Sequence, residues 1–229
     1  MTAHALTSPT VPQDLDGGIE TQAVRSALAG LCSAAHPHLR SEARRISDGD
    51  ERLLLQVEQE QARASTVGVR RARGAARSIV RDLLHAAGGP QAWPVIKGSA
   101  GSPSWPPGFE GSLAHDNDFA IAVVGQYQHG LRSVGVDIEP AAPLQTELVD
   151  LVATKAEIEH IQHGTLEGKL LFCIKEAAYK AIFPHERVIL DFQDITFSPM
   201  TNVARSRLGC EADIFTARDK RVIALAIVR

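Results

Sequence analysis

The segment Phe172-Cys173-Ile174-Lys175-Glu176-Ala177-Ala178-Tyr179-Lys180-Ala181-Ile182-Phe183-Pro184 reads as a helix built for close packing. Ile174, Ala177, Ala178 and Ala181 recur at helical spacing and form a narrow stripe of small apolar side chains. Glu176 and Lys180 are four residues apart and share another face. Alone, such a pair is a surface ion pair worth about 0.3 kcal/mol. On a helix otherwise this apolar, a second reading stands beside it: Glu176 as a metal ligand, with Lys175 and Lys180 holding phosphate oxygens. The helical pattern starts at Leu166, and Pro184 is expected to end it.

Outward from this helix the pattern alternates. Leu144 to His163 carries helical periodicity, and the tail turns β-rich at Val188–Leu190, Ile195–Phe197, Ala212–Thr216 and Val222–Val228. Upstream, Phe119–Gln128 reads as a strand, and a turn at His129-Gly130 leads to a second strand, Ser133–Glu139. Asp48–Arg81 looks helical in at least two pieces, the second running from Val67 to Ala87 and stopping at Gly88-Gly89-Pro90. Thr21–Ala35 reads as a short helix. Residues 1–20, with Pro9, Pro12, Gly17 and Gly18, read as a loose leader. Trp93–Glu110 is rich in Gly, Pro and Ser and reads as a long loop, with room for a short strand at Val95-Ile96. This order predicts an α+β fold in two halves, residues 21–125 and 126–229.

The 229-residue chain has 44% hydrophobic and 22% charged residues, ordinary for a globular protein, and a net charge of −3, which argues against a general nucleic-acid binder. Its three cysteines, Cys32, Cys173 and Cys210, are too few and too far apart for a disulfide framework or a zinc knuckle. No secretory signal or apolar stretch of spanning length is visible, so a cytoplasmic location without a membrane span is expected.

Three further elements carry chemistry. In Val134-Gly135-Val136-Asp137-Ile138-Glu139 the strand period puts Asp137 and Glu139 on one face and Val136 and Ile138 on the other. Two readings are open: a solvent-facing acidic edge, or a hard oxygen site for Mg²⁺. Gly111-Ser112-Leu113-Ala114-His115 places a histidine after a glycine-rich loop, either structural or a phosphate donor. Arg70, Arg73, Arg77 and Arg81 follow helical spacing as one basic stripe, joined by Arg71 nearby, and Lys97 lies in the loop beyond. The stripe is either a solvated face or the lining of a polyphosphate pocket.

Together these stretches resemble the phosphopantetheinyl transferases of the surfactin-synthetase-activating and enterobactin-synthase-component-D type, nearest their actinobacterial branch. The resemblance rests on F-C-x-K-E-A-x-Y-K-A-x-F-P, on its separation from G-V-D-I-E, and on G-x-P-x-W-P-x-G-x-x-G-S-L-x-H from Gly101 to His115, over roughly residues 67–200. It implies two similar α/β subdomains related by pseudo-two-fold symmetry, with the cofactor in the cleft between them. It implies transfer of the phosphopantetheine arm of coenzyme A to a serine of an apo acyl or peptidyl carrier protein, releasing adenosine 3′,5′-bisphosphate. It further implies Asp137, Glu139 and Glu176 as ligands of Mg²⁺, with Mn²⁺ as an alternative, and Glu176, Lys180 and His115 as the catalytic residues. Coenzyme A contacts are implied at Arg70, Arg77, Lys97, Ser112, His115, Lys175 and Lys180, in a monomer.

The helix around Val67–Arg73 aligns loosely, which leaves Arg70, Arg71 and Arg73 open as the nucleotide contact. Ala114 and Asp116 depart from the family pattern. Asp116 beside a phosphate pocket would repel the ligand unless it turns away or meets an arginine or the metal. Two rival functions fit parts of the pattern: a metal-dependent nuclease, and a coenzyme A- or carrier-binding module without catalysis. No G-x-S-x-G elbow is present for a serine hydrolase.

Overall fold

The computed structural model of the protein describes residues 14–98 and 101–228. The first half runs α1 (Asp14–Ala35), β1 (Arg40–Arg45), a 3₁₀ turn at Asp50–Leu53, α2 (Gln56–Gln61), α3 (Val67–Ala86), β2 (Phe109–His115) and β3 (Phe119–Gln126). The second runs β4 (Ser133–Pro140), α4 (Thr146–Val152), α5 (Lys155–Gln162), α6 (Gly168–Glu186), β5 (Ile195–Ser198), β6 (Val203–Ser206), β7 (Glu211–Arg218) and β8 (Arg221–Val228). The strands form two antiparallel sheets, ordered β1-β3-β2 and β4-β8-β7-β6-β5.

The two halves share a plan. In each, a strand is followed by a long helix and then a hairpin whose last strand returns to pair with the first: β1-α3-β2-β3 and β4-α6-β7-β8. The β5-β6 hairpin is an addition to the second copy. A smaller device is repeated too. Glu58 and Glu157 are each the third residue of a short helix, α2 and α5, and each accepts the N–H of its own N-cap, Leu55 at 2.8 Å and Thr154 at 2.7 Å. Both are buried and both take a cation from the long helix that follows. Arg81 reaches Glu58 at 3.2 Å and Lys175 reaches Glu157 at 2.7 Å. Each also accepts a later main-chain N–H, from Val95 at 2.8 Å and from Phe197 at 2.7 Å.

Packing explains the continuous apolar runs of β3 and β8, which are covered on both faces. Ala120, Ala122 and Val124 of β3 pack on α3, and Val222, Ala224, Ala226 and Val228 of β8 pack on α6. The opposite faces, with Ile121 and Val123 of β3 and Leu225 and Ile227 of β8, meet Val136 and Ile138 of β4 and Leu28 of α1 in a shared core between the halves. Gly135 lets β4 and α6 touch backbone to backbone: a Cβ there would lie 1.9 Å from the Ala177 carbonyl oxygen. Ser133 Oγ donates to the Ala181 carbonyl at 2.5 Å in the same seam.

The structure corrects several sequence expectations. α1 begins at Asp14, so residues 14–20 of the expected leader are helical, and residues 1–13 lie outside the described residues. Pro184 lies inside the last turn of α6, because a proline there forfeits one helical hydrogen bond while its fixed φ suits the helix. The helix ends where Arg187 turns left-handed at φ 55°. The turn at His129-Gly130 does lead to a second strand, β4, and it carries the chain from one sheet to the other. No named strand forms at Val95-Ile96 or Val188–Leu190. The sequence reading missed β1 and β6, left Phe109 and Glu110 of β2 in the loop and assigned no strand to residues 111–115. No helix of the described residues is long and apolar enough to cross a membrane.

Candidate active site

A cleft of about 880 Å³ opens between the halves, walled by α3 and β2 on one side and by β4 and α6 on the other. The close approach at Gly135 brings the two acidic elements together. Asp137 from β4 and Glu176 from α6 both face the cleft, and Glu139 lies two residues along the same face of β4. Burial pushes the Glu176 carboxyl above its usual range, and Asp137 and Glu139 push it further while Lys180 opposes them. The Glu139 carboxyl is likewise raised by burial, with Asp137 adding to it and Lys169 opposing. Asp137 Oδ1 accepts from Lys180 at 2.7 Å, but its buried Oδ2 has no hydrogen-bond partner. Lys169 approaches Glu139 at 3.2 Å.

The facing wall is cationic. Arg73 and Arg77 reach the cleft from consecutive turns of α3, and Lys97 and His115 join them. Arg77 is buried and anchored through Nε to the Val95 carbonyl at 2.8 Å, while Arg73 Nη1 meets Ser65 Oγ at 2.9 Å. Burial lowers the Lys97 pKa, and Arg73 and Arg77 lower it further. Burial also lowers that of His115, assisted by Lys180 and Arg73, which favours a neutral imidazole able to donate from one nitrogen. For Lys180, burial alone would lower the pKa, but Asp137 and Glu176 outweigh it and keep the ammonium charged.

Each wall therefore carries like-charge repulsion that a ligand of opposite sign would relieve. Three carboxylates, one with an unpartnered buried oxygen, are hard donors suited to a divalent cation. Among the described residues no three such side chains are already gathered in ligand positions. The ammoniums of Lys180 and Lys169 hold Asp137 and Glu139 instead. The donor set thus fits a cation by chemistry, with lysines occupying part of its oxygens.

Other expected site residues lie elsewhere. Lys175 is in the C-terminal core, 1% exposed, where Nζ donates to Glu157 at 2.7 Å and to the Val152 and Phe192 carbonyls. Its place on α6 turns it away from the cleft face of Glu176, and it is not among the residues that line the cleft. Arg70 turns to the surface groove beside Arg63 and donates to the Ser65 carbonyl, leaving Arg73 as the cleft residue of that turn. Arg71 pairs with Asp48 and Glu51, and Arg81 with Glu58. Ser112 lines the cleft floor, though its hydroxyl accepts the Val136 N–H at 3.0 Å and ties β2 to β4. Asp116 turns away: Oδ1 accepts from the Asp118 and Phe119 N–H groups at 2.7 Å each, and Oδ2 meets Arg221 at 2.5 Å.

The far end of the cleft holds residues that the sequence reading passed over. Tyr127 donates to the buried Glu110 carboxylate at 2.6 Å, and Arg132, His185 and Arg187 stand in the same lining. Burial raises the Glu110 carboxyl, with Tyr127 and Arg187 opposing. Nothing in the linear spacing of Glu110 and Tyr127 signals this pair. Tyr179 had a usable signal, being three residues after Glu176 on the same helix.

Two family models match: one described as the 4'-phosphopantetheinyl transferase superfamily over residues 133–226, and one as the 4'-phosphopantetheinyl transferase N-terminal domain over residues 58–125. The first spans the strands of the second sheet, and the second covers α3, β2 and β3 but not β1. Among similar proteins, 4'-phosphopantetheinyl transferase PptT of Mycobacterium tuberculosis is 40% identical over 127 residues, 53% of this chain and 55% of the relative. 4'-Phosphopantetheinyl transferase Npt of Nocardia iowensis is 39% identical over 108 residues, 45% of this chain and 48% of the relative. Enterobactin synthase component D of Escherichia coli O157:H7 is 31% identical over 135 residues, 56% of this chain and 63% of the relative. The chain spans about half the length of the first two.

Proposed function

We propose that this chain, which belongs to the 4'-phosphopantetheinyl transferase superfamily, moves the phosphopantetheine arm of coenzyme A onto a serine of an apo carrier protein and releases adenosine 3′,5′-bisphosphate. The observation that carries the reading is the cleft itself, in which a cationic wall faces three carboxylates. Coenzyme A brings a pyrophosphate and a 3′-phosphate to the first wall, and a divalent cation suits the second.

Arg73, Arg77 and Lys97 grip the nucleotide phosphates, and His115 donates a hydrogen bond to a phosphate oxygen. Asp137, Glu139 and Glu176 would hold Mg²⁺, with Mn²⁺ as an alternative; a cation bound there supplies neutralisation of pyrophosphate charge. Glu176, which faces the cleft, accepts the proton of the carrier serine hydroxyl. The serine oxygen bonds to the phosphorus that carries the pantetheine arm. The bond from that phosphorus to the bridging oxygen breaks, and the leaving phosphate takes the electron pair. Lys180, kept charged by Asp137, stabilises that leaving oxygen. Lys175 acts outside the reaction, as part of the core beneath α6.

The carriers are acyl or peptidyl domains of fatty-acid, polyketide or peptide synthases. The relative named enterobactin synthase component D adds siderophore carriers to the set to be tried. The enzyme is expected to act as a cytoplasmic monomer. Incubation with apo carrier, coenzyme A and Mg²⁺ should add the mass of the arm to the carrier. Intact coenzyme A binding with no carrier modified would favour a binding module, and cleavage of DNA by the same preparation would favour a nuclease.

A further inference from the structure

Arg221 opens β8 in the C-terminal half, but its side chain reaches into the N-terminal one. Nε donates to Asp116 Oδ2 at 2.5 Å, Nη2 to Asp118 Oδ2 at 2.5 Å and Nη1 to Glu20 Oε1 at 3.1 Å. The guanidinium also lies over the Phe119 ring, 5.1 Å from its centre. The Asp116 side chain is only 2% exposed and that of Arg221 13%. These contacts close the turn between β2 and β3. That turn begins at His115, a cleft residue, and Asp116 is its immediate neighbour. The backbone of Arg221 pairs with Pro140, next to Glu139.

We propose that Arg221 is a positioning residue for coenzyme A binding: it pins the Asp116 carboxylate away from the cleft and fixes the turn that presents His115. The inference rests on the transferase reading above. Asp116 needs such a partner because a carboxylate this buried is costly when unpaired. Its Oδ1 is satisfied by the two backbone N–H groups of the turn, while Oδ2 depends on Arg221. Without the guanidinium, Oδ2 loses its partner and the carboxylate is drawn toward the cleft, where Arg73 brings positive charge beside His115. There it competes with the phosphates for the same donors. Arg221 thus suppresses an internal competitor of the ligand and ties the turn at His115 to β8, the neighbour of the strand that carries Asp137 and Glu139.

The test is a double-mutant cycle read with coenzyme A, Mg²⁺ and an apo carrier, with direct coenzyme A binding measured in parallel. Arg221→Met is expected to raise KM for coenzyme A about tenfold while kcat changes far less. Asp116→Asn retains the Oδ1 acceptor and is expected to stay within about threefold of wild type. The double variant is expected to return to within about threefold of wild type as well, because the harmful charge is gone. A double variant as weak as Arg221→Met, or an Arg221→Met with wild-type KM, overturns the proposal. Should Arg221→Met fail to fold, the same cycle with Arg221→Lys decides. Lysine keeps the charge but cannot span both aspartates, so a rise of about threefold that Asp116→Asn reverses is expected. An unchanged KM, or a rise that Asp116→Asn does not reverse, overturns it. A wild-type protein that binds coenzyme A but modifies no carrier defeats the transferase reading alone, and the binding cycle still decides the role of Arg221. A wild type that binds no coenzyme A defeats both.

Discussion

Lys180 donates to Asp137 Oδ1 at 2.7 Å and to the Val136 carbonyl at 3.0 Å, across the seam where β4 meets α6. The ammonium that shares a helix face with Glu176 is thereby fixed to the strand carrying the other carboxylates. In isolation the Glu176–Lys180 spacing reads as a helix-surface pair. In the fold, the specific hydrogen bond of Lys180 goes to another element, and Glu176 keeps an open face toward the cleft.

Glu176→Gln should lower transfer by at least about 100-fold, since a positioned general base contributes on that scale. Coenzyme A binding should persist, because the arginine wall is untouched. Calorimetry of binding beside mass analysis of the carrier checks both halves of the statement.

The two arginines of neighbouring turns should part company. Arg73→Ala removes a cleft cation and should weaken coenzyme A binding about tenfold or more, on the scale of a hydrogen bond to a charged group. Arg70→Ala, in the surface groove, should change it less than about threefold. Titrations of the two variants at one salt concentration give the comparison.

Lys175→Met leaves the Glu157 carboxylate buried without its cation, and breaking such a pair costs about 3–5 kcal/mol. Denaturant unfolding should show that loss. Lys175→Met/Glu157→Gln should regain part of it, and coenzyme A affinity of the folded fraction should stay near wild type. A large affinity loss in fully folded protein would restore Lys175 to the phosphate site.

Gly135→Ala should destabilise strongly, because the new Cβ meets the Ala177 carbonyl at 1.9 Å and either β4 or α6 must shift. The expected cost is at least about 1–3 kcal/mol. Gly30→Ala in α1, with nothing within 4 Å of its new Cβ, should gain about 0.5–1 kcal/mol instead. Paired melts of the two alanine variants provide an internal control.

The acidic wall predicts a pH signature. Burial raises the Glu176 and Glu139 carboxyls, so between the ordinary carboxylate range and their raised values the folded protein holds protons that the unfolded chain has released. Their contribution to stability therefore falls as pH rises through that window. His115 acts in the opposite sense: its lowered pKa costs stability as pH falls through the ordinary histidine range. Mg²⁺ separates the two, because protons compete with it for the carboxylates only. The rise in Tm on adding Mg²⁺ should be largest near neutral pH and shrink toward the carboxylate range, and Glu176→Gln should flatten the profile.

Much of this was legible in the linear sequence where a residue and its period agree. Asp137 and Glu139 on one face of β4, and Glu176 and Lys180 on one face of α6, follow from strand and helix periods alone. The helix carrying Arg73 and Arg77 was legible too, but not which arginines turn inward, since that depends on where Gly74 meets the Asp50 carbonyl. β1 escaped notice because Arg40–Arg45 holds a single apolar residue, Ala43, and owes its strand form to pairing with β3. Lys175 is a related case: its motif position is legible, whereas its partner Glu157 lies on another helix and is found only by folding. Asp116 and Arg221 are 105 positions apart, beyond the reach of any local pattern.

The division of the cleft between two topologically equivalent halves has a consequence for the idle protein. A molecule held by Arg73 and Arg77 at one end and by Lys180 at the other spans the seam and acts as a removable cross-link. Segments of the seam that open locally would then open less often while it is in place. Coenzyme A supply would set the survival of the chain among proteases, quite apart from the rate at which the chain works.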